Sequence, residues 1–432
     1  MNRIGFFLDN RAITSVDCSN VLNFNPGIGG TEYLIIAISA LLSSRNNGLE
    51  VILYTTSEGV FPPGLRYVGV EGFEEAALQA THDGCECLIF KHDATLILEH
   101  ALDKCPVGLK LIPWCHVFVC YWELDFYATC DSVYRIVYVG REMMDLYRDH
   151  LSFRKATYIY NCLNLSQVRS KVYKYPFEER KNIVTYIGSI TPFKGLHLLA
   201  KAWPKVAEQV PNAELFIIGS GRLYDEKAEM GPLGIAESQY ETRIMQYLGE
   251  NGKVRSDVHF MGLMGEEKND ILLQTKVGVP NPSGITETFG LSAVEMQMMG
   301  AVVATKKCPG YLDTVLNGRL YSNVDALAAT IVSLLKSNTS NYESAMCYFE
   351  QNFSMEVVAK RWEDWLVADC VVSENAKLTN KWYRLKLIKE VLRKIKEVFP
   401  SLYCLPPIER FLLFLEKCVG KRGCRYIDSN AA

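Results

Sequence analysis

NPSGITETFGLSAVEMQMMG, residues 281–300, is the stretch on which the reading of this chain turns. Pro282, Ser283 and Gly284 suit a loop, and the run from Thr288 to Met299 then reads as one helix. Two carboxylates stand eight positions apart, Glu287 ahead of the helix and Glu295 within it. At about 1.5 Å per residue, eight positions span roughly 12 Å of helix axis. Carboxylates that flank one scissile glycosidic bond stand closer, roughly 5–9.5 Å apart. The spacing suits instead the two ends of one elongated ligand. A helix N-terminus between the acids would receive anionic oxygens. A nucleotide sugar has that shape and charge.

Around this stretch, short apolar runs alternate with helical patterns. Ile4–Leu8, Val51–Tyr54, Cys87–Phe90, Leu109–Ile112, Arg135–Val139 and Tyr158–Tyr160 read as buried strands. After a polar segment the alternation restarts. Ile183–Ile187 is a strand, Gly195–Val210 a helix, and Ala213–Ile218, Val258–Met261, Lys276–Pro280 and Ala301–Thr305 are further strands. Strands alternating with helices imply parallel sheets covered on both faces. The expected class is therefore α/β: two doubly wound Rossmann-like domains facing across a cleft, with a helical C-terminal extension. We expect an N-terminal domain over 1–165, a linker over 166–182 and a second domain over 183–350. A helix over 351–372 would return toward the first domain, and a basic amphipathic tail would fill 373–432. The insertion from Arg222 to Ser256 is too mixed to assign. In the first half, Gly27, Gly29 and Gly30 precede a helix-length apolar segment, so a loop there can bring backbone N–H groups close to phosphate.

Composition narrows the class. The chain has 432 residues and a formal net charge of -3. That total hides a split: residues 375–432 carry 13 Lys and Arg against 5 Asp and Glu, leaving 33 against 44 for the rest. A basic tail on an acidic body points to a partner of opposite sign. The fourteen cysteines form no CxxC pair and read as reduced thiols. MNRIGFFLDN is too short and wrongly flanked for a signal peptide, and no run approaches the roughly 20 apolar residues of a spanning helix. The expectation is a cytoplasmic protein, peripheral on the cytosolic face of a membrane if the tail binds one.

The second half resembles the retaining glycosyltransferases of family 4, of GT-B fold. The likeness rests on Glu287-Thr-Phe-Gly-Leu-Ser-Ala-Val-Glu295, the family's Glu-x7-Glu pattern. It continues through Gly300-Ala-Val-Val-Ala-Thr and Pro309-Gly310. Gly188 with Lys194-Gly195, Gly219-Ser220-Gly221 and the helix Phe353–Leu366 extend it. Gly29-Gly30-Thr31-Glu32, His116 and Asn161 match in the first half, so the likeness spans about residues 1–370.

The resemblance implies roles. Glu295 would accept hydrogen bonds from the ribose hydroxyls, and Glu287 would hold hydroxyls of the donor sugar. The N–H groups of Phe289, Gly290 and Leu291 would lie beside sugar and phosphate. Lys194 would neutralise the departing diphosphate, with Gly29, Gly30, Gly188, Ser189 and Gly219 lining the approach. His116 would orient a sugar hydroxyl. The family carries an Arg where Ser189 stands, so half of its cationic pair is missing here, and Arg222 is a substitute by position. The implied reaction moves a sugar from a nucleotide-diphosphate sugar to an acceptor hydroxyl with retention. It needs no metal and no cofactor beyond the donor. Ser189 keeps a second reading open, a catalytically weak or inactive nucleotide-sugar-binding protein of the same fold. A phosphorylase or a sugar-nucleotide epimerase of that fold is a third.

The tail has its own pattern. Trp382–Phe399 sets apolar residues at 382, 385, 388, 392, 395 and 399, with Lys and Arg on the other face. Such a helix can lie in the interface of an anionic bilayer, here through 377–425, or dock on the protein's own acidic body. With membrane contact, a lipid-linked saccharide of a surface polysaccharide pathway becomes the natural acceptor. No aromatic-interleaved basic motif points to nucleic acid.

Overall fold

A computed structural model describes residues 2–45, 48–166, 168–222, 229–368 and 385–418. The apolar runs become strands because a chain buried on both faces has no room for polar alternation. In the first half β1 (Asn2–Leu8), β2 (Leu49–Thr55), β3 (Arg66–Gly69), β4 (Cys85–Lys91), β5 (Lys110–Cys115), β6 (Ile136–Tyr138) and β7 (Ala156–Tyr158) form one sheet, ordered 3-2-1-4-5-6-7. Every pairing in it is parallel. The central strands carry the core: Phe6, Leu53 and Leu88 are sealed from solvent. The expected interior strands are all present. The edge strand β3 was not expected, and its residues are mostly exposed.

The second half repeats the plan. β8 (Ile183–Ile187), β9 (Glu214–Ile218), β12 (Val258–Gly262), β13 (Val277–Gly278), β14 (Val302–Lys306) and β15 (Gly318–Tyr321) form a parallel sheet ordered 12-9-8-13-14-15. Trp203, Tyr186 and Leu199 anchor the core beneath the helix Leu196–Gln209. The unassigned insertion holds a helix, Ser238–Leu248, and a two-stranded hairpin of β10 (Gly249–Glu250) and β11 (Lys253–Val254). Glu241 organises it from within: its carboxylate accepts from the backbone N–H of Leu233 and of Ile235, each at 2.9 Å.

By its internal contacts the chain divides into two units. Residues 1–22, 31–161 and 358–432 make one, and 23–30 with 162–357 make the other. Within the first, Trp362 of the helix Met355–Ala368 is fully buried, its ring 5.0 Å from Trp114 and 6.2 Å from Phe6. The part of that expected helix over 369–372 lies outside the described residues.

The tail corrects the composition argument. The helix Lys386–Val398 turns its basic side inward, so those lysines do not face an external anion. Lys386 Nζ stands 2.9 Å from Glu142 and also pairs with Asp145. Lys389 donates to the Leu146 carbonyl at 2.7 Å and pairs with Glu409, and Lys396 donates to the Asp149 carbonyl at 2.8 Å. Burial lowers the Lys396 pKa against the pull of Asp149. The stretches 377–384 and 419–425 of the expected membrane-facing segment lie outside the described residues. No described helix is long and apolar enough to cross a membrane. The described cysteines are free thiols, most of them buried.

Candidate functional site

The site grows out of two loops at the C-terminal ends of neighbouring parallel strands, where such sheets leave a crevice. After β8 the chain makes a short turn, Pro192–Lys194, and enters the helix Leu196–Gln209 through Gly195. After β13 it runs through Asn281–Gly290 into the helix Leu291–Met298. Lys194 and Glu287 meet between these loops, Nζ to Oε2 at 3.1 Å, with side chains 23% and 12% exposed. The ion pair is thus sheltered yet open to a ligand.

Its position is fixed from below. Asn281 Nδ2 donates to the same Glu287 Oε2 at 3.2 Å and to the Ile285 carbonyl at 2.7 Å. Ser283 Oγ donates to the Phe193 carbonyl at 2.9 Å, tying the glutamate's loop to the lysine's. Gly195 permits this approach: its φ is +70°, and a Cβ there would stand 2.8 Å from Ser283 Cβ and 2.9 Å from its backbone nitrogen. Thr286, just before Glu287, has φ +60°. A β-branched residue pays roughly 1–2 kcal/mol for that conformation, a strain typical of residues that aim a functional neighbour.

The helix begins at Leu291, three residues later than the sequence suggests, because Gly290 is left-handed at φ +85° and caps it. Glu287 therefore sits in the loop and Glu295 on the helix. Phe289 lies in the core, 2% exposed, its ring 5.1 Å from Phe353. Whatever this residue offers a ligand comes from its backbone. Glu295 pairs with Lys268, Nζ to Oε1 at 3.0 Å, with side chains 24% and 17% exposed. Sequence reading missed Lys268, which opens the helix Lys268–Gln274 and reaches the acid only through the fold.

The glycine positions fall close by. Gly219, at φ +144°, packs so tightly that a Cβ would stand 1.9 Å from the Gly188 carbonyl oxygen. Ser189 is 1% exposed, and its hydroxyl lies 3.4 Å from that of Thr191. Arg222 is exposed, its backbone N–H donating to Ser220 Oγ at 3.1 Å. Residues 23–30 belong to this same unit. Asn25 Oδ1 accepts from the N–H groups of Gly27 and Ile28, each at 3.0 Å, shaping the loop that ends at Gly29 and Gly30. A Cβ at Gly30 would come 3.2 Å from Leu291 Cδ1, so that loop adjoins the start of the helix.

His116 belongs to the other unit, where its ring lies 4.5 Å from that of Trp114. Burial, aided by the charge of Lys91, lowers its pKa to about 3, so it is neutral at physiological pH. Asn161 is buried there as well. A residue that sequence reading passed over, Arg180, binds the far end of the helix Leu291–Met298. Its guanidinium donates to the carbonyls of Met299 and Thr275, each at 2.8 Å, and burial lowers its pKa to about 10. Both carbonyls cap helix C-termini, where a cation is favoured.

Together these features can hold an extended anion. Lysines sit at both ends, an acid stands beside each, and a helix start lies between them. Among the described residues, no group of three or more His, Cys, Asp or Glu converges to hold a metal ion.

Comparison with known proteins bears on the same region. Residues 169–348 match the family model for glycosyl transferases group 1. No curated protein matches the chain. Among solved structures, the chain is similar to HepE of Anabaena in complex with UDP and glucose, at 14% identity and a TM-score of 0.60, over 85% of this chain and 100% of that one. It is also similar to sucrose-phosphate synthase of Thermosynechococcus elongatus, at 16% identity and TM-score 0.59, over 86% and 100%. WaaG, a glycosyltransferase involved in lipopolysaccharide biosynthesis, follows at 13% and 0.56, over 84% and 99%. At these identities the likeness is one of fold: the chain is built as two Rossmann-like units of the GT-B type, with a helical C-terminal region.

Proposed function

We propose that this protein is a retaining glycosyltransferase that moves a sugar from a nucleotide-diphosphate sugar to an acceptor hydroxyl. The observation that carries the reading is the sheltered Lys194–Glu287 pair, held by Asn281 and Ser283 ahead of a helix start. Lys194 would stabilise negative charge as the bond from the anomeric carbon to the diphosphate breaks. The acceptor oxygen would form its bond on the same face, and its proton would pass to the leaving phosphate oxygen. Glu287 would hold hydroxyls of the donor sugar. Glu295, steadied by Lys268, would bind the ribose diol as an acceptor-only group. No metal enters these steps.

HepE was solved with UDP-glucose, which makes UDP-sugars the first donors to try. The likeness to WaaG supports a lipid-linked or saccharide acceptor in surface polysaccharide or glycolipid synthesis. Ser189, buried against Thr191, supports a second reading in which the donor is bound but turned over slowly, because a serine stands where the family carries an Arg.

A thermal-unfolding screen of UDP-, GDP- and ADP-sugars tests the binding. A true donor at about 100 times its Kd adds about 2.7 kcal/mol of stability. If no nucleotide sugar raises the melting point, the proposal fails. Binding without transfer to any acceptor selects the second reading.

A further inference from the structure

The charged groups at the two ends of the site cancel. Lys194 is paired with Glu287 and Lys268 with Glu295, so these four side chains carry no net charge. A nucleoside diphosphate adds negative charge on two phosphates, and a helix start offsets only about half an elementary charge. Ser189 stands where the Arg of the resembled family would add to Lys194. A further cation is needed at the same edge of the sheet.

Strand register locates one. Thr185 of β8 and Val303 of β14 both stand level with Gly278 of β13. Carried three residues on, that register sets Gly188, Asn281 and Lys306 abreast where the strands end, and the Thr305 hydroxyl donates to the Asn281 carbonyl at 2.9 Å. Two strand spacings, roughly 10 Å, then separate Lys306 from Gly188. The loop that carries Glu287 passes between them. On one side Ser283 packs on Gly195, the neighbour of Lys194; on the other, a Cβ at Gly284 would stand 3.4 Å from Lys306 Cβ. Lys306 is half-buried and, among the described residues, enters no ion pair and no side-chain hydrogen bond. A cation partly withdrawn from water without a counter-charge is costly, and an arriving anion relieves that cost. Arg222 is exposed and keeps its hydration.

We propose that Lys306 is the second cation of this site and binds a nucleoside diphosphate together with Lys194. The assignment rests on the reading of the site as one for a nucleotide sugar. Lys194 ends the turn after β8 and Lys306 ends β14, so the two flank the loop Asn281–Gly290 from opposite sides. A diphosphate lying over that loop at the helix start meets both. An ammonium on a four-carbon stem acts there as a movable point charge, where an Arg would impose a fixed fork.

Calorimetry on the full chain with UDP, GDP and ADP tests this, the diphosphate that binds most tightly being compared with its own monophosphate. Lys306→Met should weaken the diphosphate by about tenfold, the loss of one charge-assisted bond, and leave the monophosphate and the thermal unfolding of the free protein unchanged. Lys306→Arg keeps the charge and should bind the diphosphate within about threefold of the parent. A Lys306→Met variant that binds the diphosphate like the parent overturns the proposal. Equal losses for diphosphate and monophosphate overturn it too, since they mark a structural role. So does a loss in Arg222→Met with none in Lys306→Met, which moves the charge to Arg222. A parent that binds none of the three diphosphates overturns instead the reading of the site itself, and this assignment with it.

Discussion

Replacing Gly195 by alanine puts the two site loops under a load that can be sized from the structure. The new Cβ would stand 2.8 Å from Ser283 Cβ, where ordinary contact begins at 3.4 Å, so the loops must part by about 0.6 Å. That opening stretches the Ser283–Phe193 bond from 2.9 Å to about 3.5 Å and the Lys194–Glu287 contact from 3.1 Å to about 3.7 Å. Both then lie at or beyond the limit of a hydrogen bond. The left-handed backbone costs alanine about 1 kcal/mol, and the lost serine bond about 1 kcal/mol more. Gly195→Ala should therefore destabilise the protein by about 2 kcal/mol, read as a lower urea midpoint. It should also reduce stabilisation by the donor nucleotide sugar at least tenfold in apparent affinity. A variant with parental stability and parental donor binding would show that the loops are not held at this distance, and the account of the site would fall with it.

Three further changes test other parts of the site. Glu287→Gln keeps the shape but removes the acceptor charge, and should lower turnover by about 100-fold or more while the urea midpoint moves little; unaltered turnover would remove Glu287 from the reaction. Lys268→Met frees Glu295 from its partner, and should raise the KM for the donor several-fold with little change in kcat, since binding at the nucleotide end is made equally in ground and transition states. A fall in kcat alone would contradict that placement. For pH, burial is the first cause that lowers the pKa of His116 to about 3 and of His197 to about 4, and it lowers that of His150 against the pull of Asp125. The unfolded chain takes up these protons near pH 6.5 and the folded one does not. Their contribution is thus complete above about pH 6.5 and is lost as pH falls toward 4, by no more than about 4 kcal/mol per unit for three protons. Urea midpoints at pH 7.5 and 5.5 check the sign, and a rise on acidification would refute it.

What the sequence made legible was what burial on both faces imposes. The interior strands are continuous apolar runs, and each was found within a few residues of its place. Of the four edge strands, β7 and β12 were read, whereas β3 and β15, reading RYVG and GRLY, are mostly exposed and form no apolar run, and were passed over. The loop glycines and the acids at 287 and 295 were legible as a pattern, whereas the pairing of Glu295 with Lys268 spans 27 positions and exists only once β12 and β13 lie in one sheet. The strain at Thr286 left no mark in composition at all. In the tail, periodicity gave two faces correctly and could not say which was turned inward. That choice was made by Glu142, Asp145 and Asp149, more than two hundred residues earlier in the chain.

Arg180 gives the helix Leu291–Met298 a handle at the end remote from Glu287. The residue lies on the connector that leads into β8, and its other grip is the C-terminus of the helix that begins with Lys268. Through this one guanidinium the C-termini of both helices are held to the connector. Because the bond runs to backbone carbonyls, side-chain changes along the helix would leave this linkage in place. The helices that carry Glu295 and Lys268 are thus pinned together at their C-termini as well as through that ion pair.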